Sequence, residues 1–315
     1  MSAQALTASR GFGIFCVLAA SVLWGTTGTA ATFAPHVSPV AIGAAAMGIG
    51  GLLQMLIALR QIRCNGGLLH NHWAFVLIGA IAVAIYPLAF YSSMHMAGVT
   101  IGTVVTIGSA PILSAVIERA FDGKKLTARW IIGACLGLFG TVLLCIAKAQ
   151  GHADSAVHAS VSESVFGIVL GLLAGATYAL YSWTAHRLMG KGVSSSAAMG
   201  ATFGLGGIML IPVLLFTGAS LIESWTNAAV GLYMILIPMF LGYILFGIGL
   251  SKIAASTATT LSLIEPVIAA ALAVVIVGER LPLLGWIGAT LIVGCLYVLV
   301  SQPEDRHAGA KTQRA

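Results

Sequence analysis

The sequence predicts an all-α integral membrane protein with ten transmembrane helices, arranged as two inverted five-helix repeats around a central cavity. Three observations lead there. Hydrophobic residues make up 59% of the 315-residue chain and charged residues only 8%, against roughly a quarter charged in soluble domains. The second half also repeats the first about 155 residues later. Phe12-Gly13-Ile14 returns as Phe166-Gly167-Ile168, and Pro111, Ala115, Gly123, Leu126 and Gly133 return as Pro266, Ala270, Gly278, Leu281 and Gly288. A repeat of this length is an architectural unit, and an odd number of spans per unit makes the two copies enter the bilayer in opposite senses. Finally, with the amino terminus inside, thirteen of the fifteen Lys and Arg residues fall on the inner side, which sets the orientation.

Ten apolar runs are long enough to cross roughly 30 Å of hydrocarbon. The first, Gly11–Phe33, follows Arg10; nine later spans and the lack of a clear cleavage site make it an uncleaved helix rather than a signal peptide. The second, Pro39–Leu59, stops before Arg60 and Arg63. Trp73–Met94 is the third and ends beside His95. Val99–Ile117, the fourth, contains Pro111 and runs into Arg119, Lys124 and Lys125. The fifth, Trp130–Ala147, starts after Arg129. A polar stretch, Lys148–Ser164, carries His152, Asp154 and His158 and reads as a linker. Val165–Ala185 is the sixth span, with Gly167, Gly171 and Gly175 on one face; the seventh, Ala197–Thr217, has Gly200 and Gly204 at the same spacing. Such spacing lets backbones approach closely where apolar side chains gain little by associating in lipid. Ala228–Leu250, Ala254–Val277 and Leu283–Ser301 complete the set. The organisation is therefore a cytoplasmic tail (1–10), a first repeat (11–147), a periplasmic linker (148–164), a second repeat (165–301) and a cytoplasmic tail (302–315).

A net charge of +6 would point to nucleic acid in a soluble protein; distributed as a one-sided bias around spans, it points to membrane orientation instead. The five cysteines include no CxxC pair, so no disulfide framework is expected.

Of the 24 Asp, Glu, Lys and Arg residues, all but Glu265 fall outside these ten spans. A charge there costs at least ~2.5 kcal/mol, so Glu265 is expected to face a cavity or to be protonated. Pro266 follows directly, and its missing donor frees carbonyls in the preceding turn for a ligand or water. Glu265 is thus a candidate substrate or proton site; its alternative is a neutral, hydrogen-bonded acid that stabilises packing. Pro111 is the repeat counterpart of Pro266, with Ala110 in place of the acid, and the pair are candidate hinges. Trp24, Tyr86, Tyr178 and Tyr243 are candidate ring contacts for a planar or cationic ligand, with core packing as the alternative. Trp24 and Tyr178 correspond across the repeat. Ser109 is a candidate polar contact near the Pro111 break, its alternative a bond back to its own helix. His95 is a candidate proton carrier, or else an interfacial histidine.

The chain lacks GxxxxGK[ST], HExxH and GxSxG motifs and an acidic pair within the bilayer, so no enzyme, cofactor or metal site is expected. Ser-Leu-Ile-Glu-Pro at 262–266 and Gly-Glu-Arg-Leu at 278–281, within a five-plus-five duplication, resemble the drug/metabolite transporter superfamily, EamA type. The first copy departs from it, with Asp122-Gly123-Lys124-Lys125-Leu126 in the place of Gly-Glu-Arg-Leu. Within the superfamily the chain is similar to YddG-like exporters of aromatic amino acids and methyl viologen. That resemblance implies a bacterial inner-membrane exporter with a central cavity lined mainly by the first, third, fourth, sixth, eighth and ninth helices. The fused duplication already supplies both halves, so a monomer that moves a small-molecule substrate by alternating access is expected. An exporter of another amino acid or a purine is the alternative, and a channel the next.

Overall fold

The computed structural model describes residues 3–151, 161–278 and 280–301. Ten helices among them are long and apolar enough to cross a membrane: Ser9–Ala31, Pro39–Cys64, Trp73–Ala97, Ile101–Asp122, Ala128–Ala147, Ser162–Gly190, Ser195–Ile222, Trp225–Leu250, Ala255–Ile276 and Leu283–Val300. No strand occurs among the described residues. His152, Asp154 and His158 of the expected linker, Glu279, and the tail beyond Ser301 lie outside them.

Several helices outrun the apolar runs that announce them. The fourth continues past Ile117 to Asp122 and stops at Gly123, whose φ of 64° lies in the left-handed region that favours glycine. The sixth continues to Gly190. A hydropathy reading ends at the first charge, whereas backbone hydrogen bonding carries a helix on to its cap.

Two pairs of spans that correspond across the repeat, the second with the seventh and the fifth with the tenth, pack antiparallel to each other. Along the second and seventh, Ala58 meets Gly200 and Gly48 meets Gly207 and Leu210; along the fifth and tenth, Gly133 meets Leu299 and Gly140 meets Gly288. The second contact is backbone on backbone: a Cβ on Gly140 would stand 2.6 Å from the Gly288 carbonyl, and one on Gly288 2.5 Å from that of Gly140. The third span packs along the sixth, and the first along the eighth. Gly167 and Gly171, singled out by their spacing, admit Ala97 and Ser93 of the third span against the sixth, and the Ser93 hydroxyl donates to the Gly167 carbonyl at 2.6 Å.

Hydrogen bonds also identify which chain ends share one face of the bundle. Lys252, just after the eighth span, donates to Ser9 at the start of the first. Arg10 donates to the Leu299 carbonyl near the end of the tenth. Asn65 and Ser194 join the end of the second to the start of the seventh. We call this the terminal face. The flanks carry a band of exposed apolar side chains suited to lipid, among them Phe15, Phe139, Leu215 and Tyr297.

The eighth and ninth spans depart from regular α-helix beside a proline. The eighth contains a wide π-type segment, Ile235–Leu241, around Pro238. The ninth tightens into a 3₁₀ turn at Ser262–Ile264, directly before Glu265 and Pro266. By contrast Pro111, its repeat counterpart, sits buried in an uninterrupted helix.

Candidate functional site

Each irregular turn presents polar groups to one interior cluster of rings. Proline supplies no backbone donor, so the turn it interrupts exposes carbonyls that side chains can meet. Around Pro238, its carbonyl accepts the Trp24 indole N–H at 2.9 Å, and the Met239 carbonyl accepts from the Gln54 amide at 3.4 Å. At the ninth-span turn, Ser262 accepts from the Tyr178 hydroxyl at 2.9 Å and donates to the Thr259 carbonyl at 2.8 Å. These bonds anchor the first and sixth helices to the breaks in the eighth and ninth.

Trp24, Tyr86, Tyr178 and Tyr243 come together. Ring centroids lie 4.9 Å apart for Trp24 and Tyr243, 6.4 Å edge-on for Trp24 and Tyr178, and 5.8 Å for Tyr86 and Tyr178. The two residues that correspond across the repeat therefore touch at the centre. Phe90 stacks on Tyr86, and Tyr181 shares a 2.9 Å hydroxyl bond with Tyr243. Trp24, Tyr178, Tyr181 and Tyr243 are buried, whereas Tyr86 and Tyr91 are partly accessible.

Glu265 borders this cluster. Its carboxylate interacts electrostatically with the hydroxyls of Tyr86, Tyr91, Tyr178 and Tyr243. Gly25, next to Trp24, packs against Ile268 and the Glu265 carbonyl. The carboxylate is half-buried and forms no hydrogen bond or ion pair among the described residues. A packing acid would be satisfied by neighbours, and no such bond to this carboxylate occurs among the described residues.

Ser109 and His95 do not join the cluster's hydrogen bonds. The Ser109 hydroxyl bonds back to the Thr106 carbonyl at 3.3 Å and abuts Gly175 of the sixth span. His95 is exposed at the end of the third span. Trp130, at the start of the fifth run, is buried with other core side chains.

Sequence reasoning missed Tyr181, Phe203 and Phe246. Tyr181 and Phe246 stand one helical turn beyond Tyr178 and Tyr243, a spacing that puts them on the same faces and marks them in retrospect. It also missed Glu118 and Asp122, whose buried carboxylates seal the terminal face. Glu118 is 1% exposed. It accepts from Lys124 Nζ at 2.9 Å, from the Ala255 N–H at 3.1 Å and from the Ser256 hydroxyl. Asp122 pairs with Arg187 at 3.1 Å and accepts from the Trp183 indole at 3.0 Å. The His186 ring bonds the Leu250 carbonyl at 2.7 Å. The ends of the fourth, sixth and eighth spans and the start of the ninth are thereby tied together at the terminal face. No group of three or more His, Cys, Asp and Glu able to hold a metal occurs among the described residues.

The EamA-like transporter family model matches residues 11–146 and again 165–301. The chain belongs to the EamA-like transporter family. It is a multi-pass membrane transporter, not an enzyme. A transporter of Bacillus subtilis described as uncharacterized, YwfM, is 33% identical over 92% of this chain and 94% of its own length. A probable terminal-alkyne amino-acid exporter of Streptantibioticus cattleyicolor is 21% identical over 92% and 97%. One solved crystal structure superposes with a TM-score of 0.71 at 20% identity, covering 94% of this chain and 96% of that one, and shares the fold. In this EamA-like transporter both matched segments contain five of the ten spans, and the ring cluster lies where the two meet.

Proposed function

We propose that the chain exports aromatic amino acids and related hydrophobic or cationic small molecules across the bacterial inner membrane. The two halves are inverted copies, both termini are cytoplasmic, and a monomer works by exposing one central site alternately to either side, in the manner of YddG-like exporters. The observation that carries this reading is Glu265: a half-buried carboxylate without a partner, set among Tyr86, Tyr91, Tyr178 and Tyr243. A substrate ammonium supplies the missing counter-charge, and the aromatic faces accept its ring or a delocalised cation. Ser109 at the edge of the fourth span is a further polar contact, Pro111 and Pro266 act as hinges, and Glu265 with His95 are the groups placed to exchange a proton. The antiparallel packing of corresponding spans supports the inverted arrangement. The amino-acid export assigned to the Streptantibioticus relative supports the substrate class at its coarser level.

Counterflow of labelled phenylalanine or tryptophan in proteoliposomes tests the proposal. Saturable exchange is expected, and its absence, with threonine or a purine exchanged instead, rejects the aromatic class. Repeating the flux with and without an imposed pH difference separates proton coupling from facilitated exchange.

A further inference from the structure

The closure at the terminal face is not symmetric. The ninth span starts at Ala255, and its N-cap residue, Ala254, has no side chain able to cap. Glu118 of the fourth span supplies the acceptor, taking the Ala255 N–H and the Ser256 hydroxyl. An anion at a helix N-terminus is favoured both by free N–H groups and by the helix dipole. The repeat places Ala273 opposite Glu118 in the second half, and the start of the fourth span opposite that of the ninth. The fourth span follows Gly98 and has no side-chain cap. At these two repeat-related positions the carboxylate contact is therefore made by Glu118 alone, with Ala273 in its place in the second half.

The third partner of Glu118 makes this contact a reversible latch. Lys124 lies six residues beyond Glu118 on the same segment and bonds it at 2.9 Å. When the ninth span moves away, Ala255 and Ser256 leave, but Lys124 travels with the carboxylate and continues to balance its charge. A buried carboxylate stripped of every partner would be far costlier.

We propose that Glu118 is a positioning residue for transport: it holds the ninth span, and with it Glu265, closed at the terminal face, and its release from Ala255 and Ser256 is the step that opens that face. This rests on the alternating-access reading above.

The test replaces the five cysteines and introduces Thr259→Cys, a buried position one turn inward from Ala255. Labelling by a membrane-impermeant maleimide is then timed from each side of the membrane, without substrate. Glu118→Ala is expected to raise labelling from the terminal face about tenfold, on the scale of losing a helix cap. Ser256→Ala gives a smaller rise, and Glu118→Gln, whose amide oxygen still accepts the Ala255 N–H, lies between Ala and the parent. Lys124→Ala, which leaves the cap in place but removes the partner that the carboxylate keeps on opening, lowers labelling below the parent. Substrate counterflow in Glu118→Ala should change maximal exchange rate more than half-saturation. Unchanged labelling in monodisperse Glu118→Ala and Ser256→Ala proteins overturns the proposal. So does misfolding of both, which would mark Glu118 as a packing group alone. Labelling does not depend on knowing the substrate, so failure to find exchange rejects the transport reading while leaving this result standing. Normal exchange with unchanged labelling rejects only the latch.

Discussion

Glu265→Gln tests the centre of the proposed site, because it removes a charge while keeping the shape. The carboxylate is half-buried and has no protein partner among the described residues, so the substitution breaks no internal bond and should leave the fold intact. An ammonium about 4 Å away would gain ~4 kcal/mol at an effective dielectric near 20. Both ions lose water on pairing, and the net worth of a charge-assisted contact is roughly 1.5–3 kcal/mol. The half-saturation concentration for phenylalanine should therefore rise roughly ten- to hundredfold. Counterflow in proteoliposomes measures it, with phenethylamine and 3-phenylpropionate as competitors that carry and lack the ammonium. Phenethylamine should compete well with the parent protein and poorly with the variant, while 3-phenylpropionate should change little. Unchanged half-saturation, or equal losses for both competitors, would refute a carboxylate–ammonium contact.

Trp24→Phe keeps a ring but loses the N–H bond to the Pro238 carbonyl; a loss of about 1 kcal/mol should appear as a melting temperature in detergent lower by about 2 °C. Gly288→Leu would drive a side chain into the Gly140 carbonyl, an overpacking of about 3 kcal/mol or more, and monodisperse protein should be lost. On the same helix a Cβ at Gly294 meets open space, so Gly294→Leu should purify normally and serves as the control. Asp122→Asn gives up a partly exposed ion pair with Arg187 and keeps an acceptor for Trp183, so thermal stability should shift by no more than about 1 kcal/mol.

The span count was legible because hydrocarbon thickness and apolar run length are directly linked. The repeat was legible because glycines and prolines, which serve the backbone, kept their places: Pro111 and Pro266, Gly133 and Gly288. Ring residues could be named because Trp24 and Tyr178 correspond across the repeat, and the structure brings them within 6.4 Å. What stayed hidden depends on direction rather than position. Ser109 turns back onto its own helix, and His95 turns outward. Glu118 sits one residue beyond an apolar run, where a charge is ordinarily solvated. The approach of the ninth span's N-terminus gives that buried carboxylate two of its partners, and no local pattern reports such a contact.

The two acids explain why a duplicated scaffold need not behave symmetrically. The prolines recur as Pro111 and Pro266, but only the ninth span breaks its helix there, and Glu265 faces Ala110 across the repeat while Glu118 faces Ala273. A fully symmetric pair of halves would favour neither end of the passage. On the proposed reading, the acid at the rings would supply affinity in the centre, and the other, seated on the start of the same span, would weight the closure of one face. Because Glu265 and the Glu118 contact both lie on the ninth span, a ligand that draws Glu265 toward the rings would also pull on Ala255 and Ser256. Charge would then link occupancy to opening through a single span, which a search for matched residues in both halves would overlook.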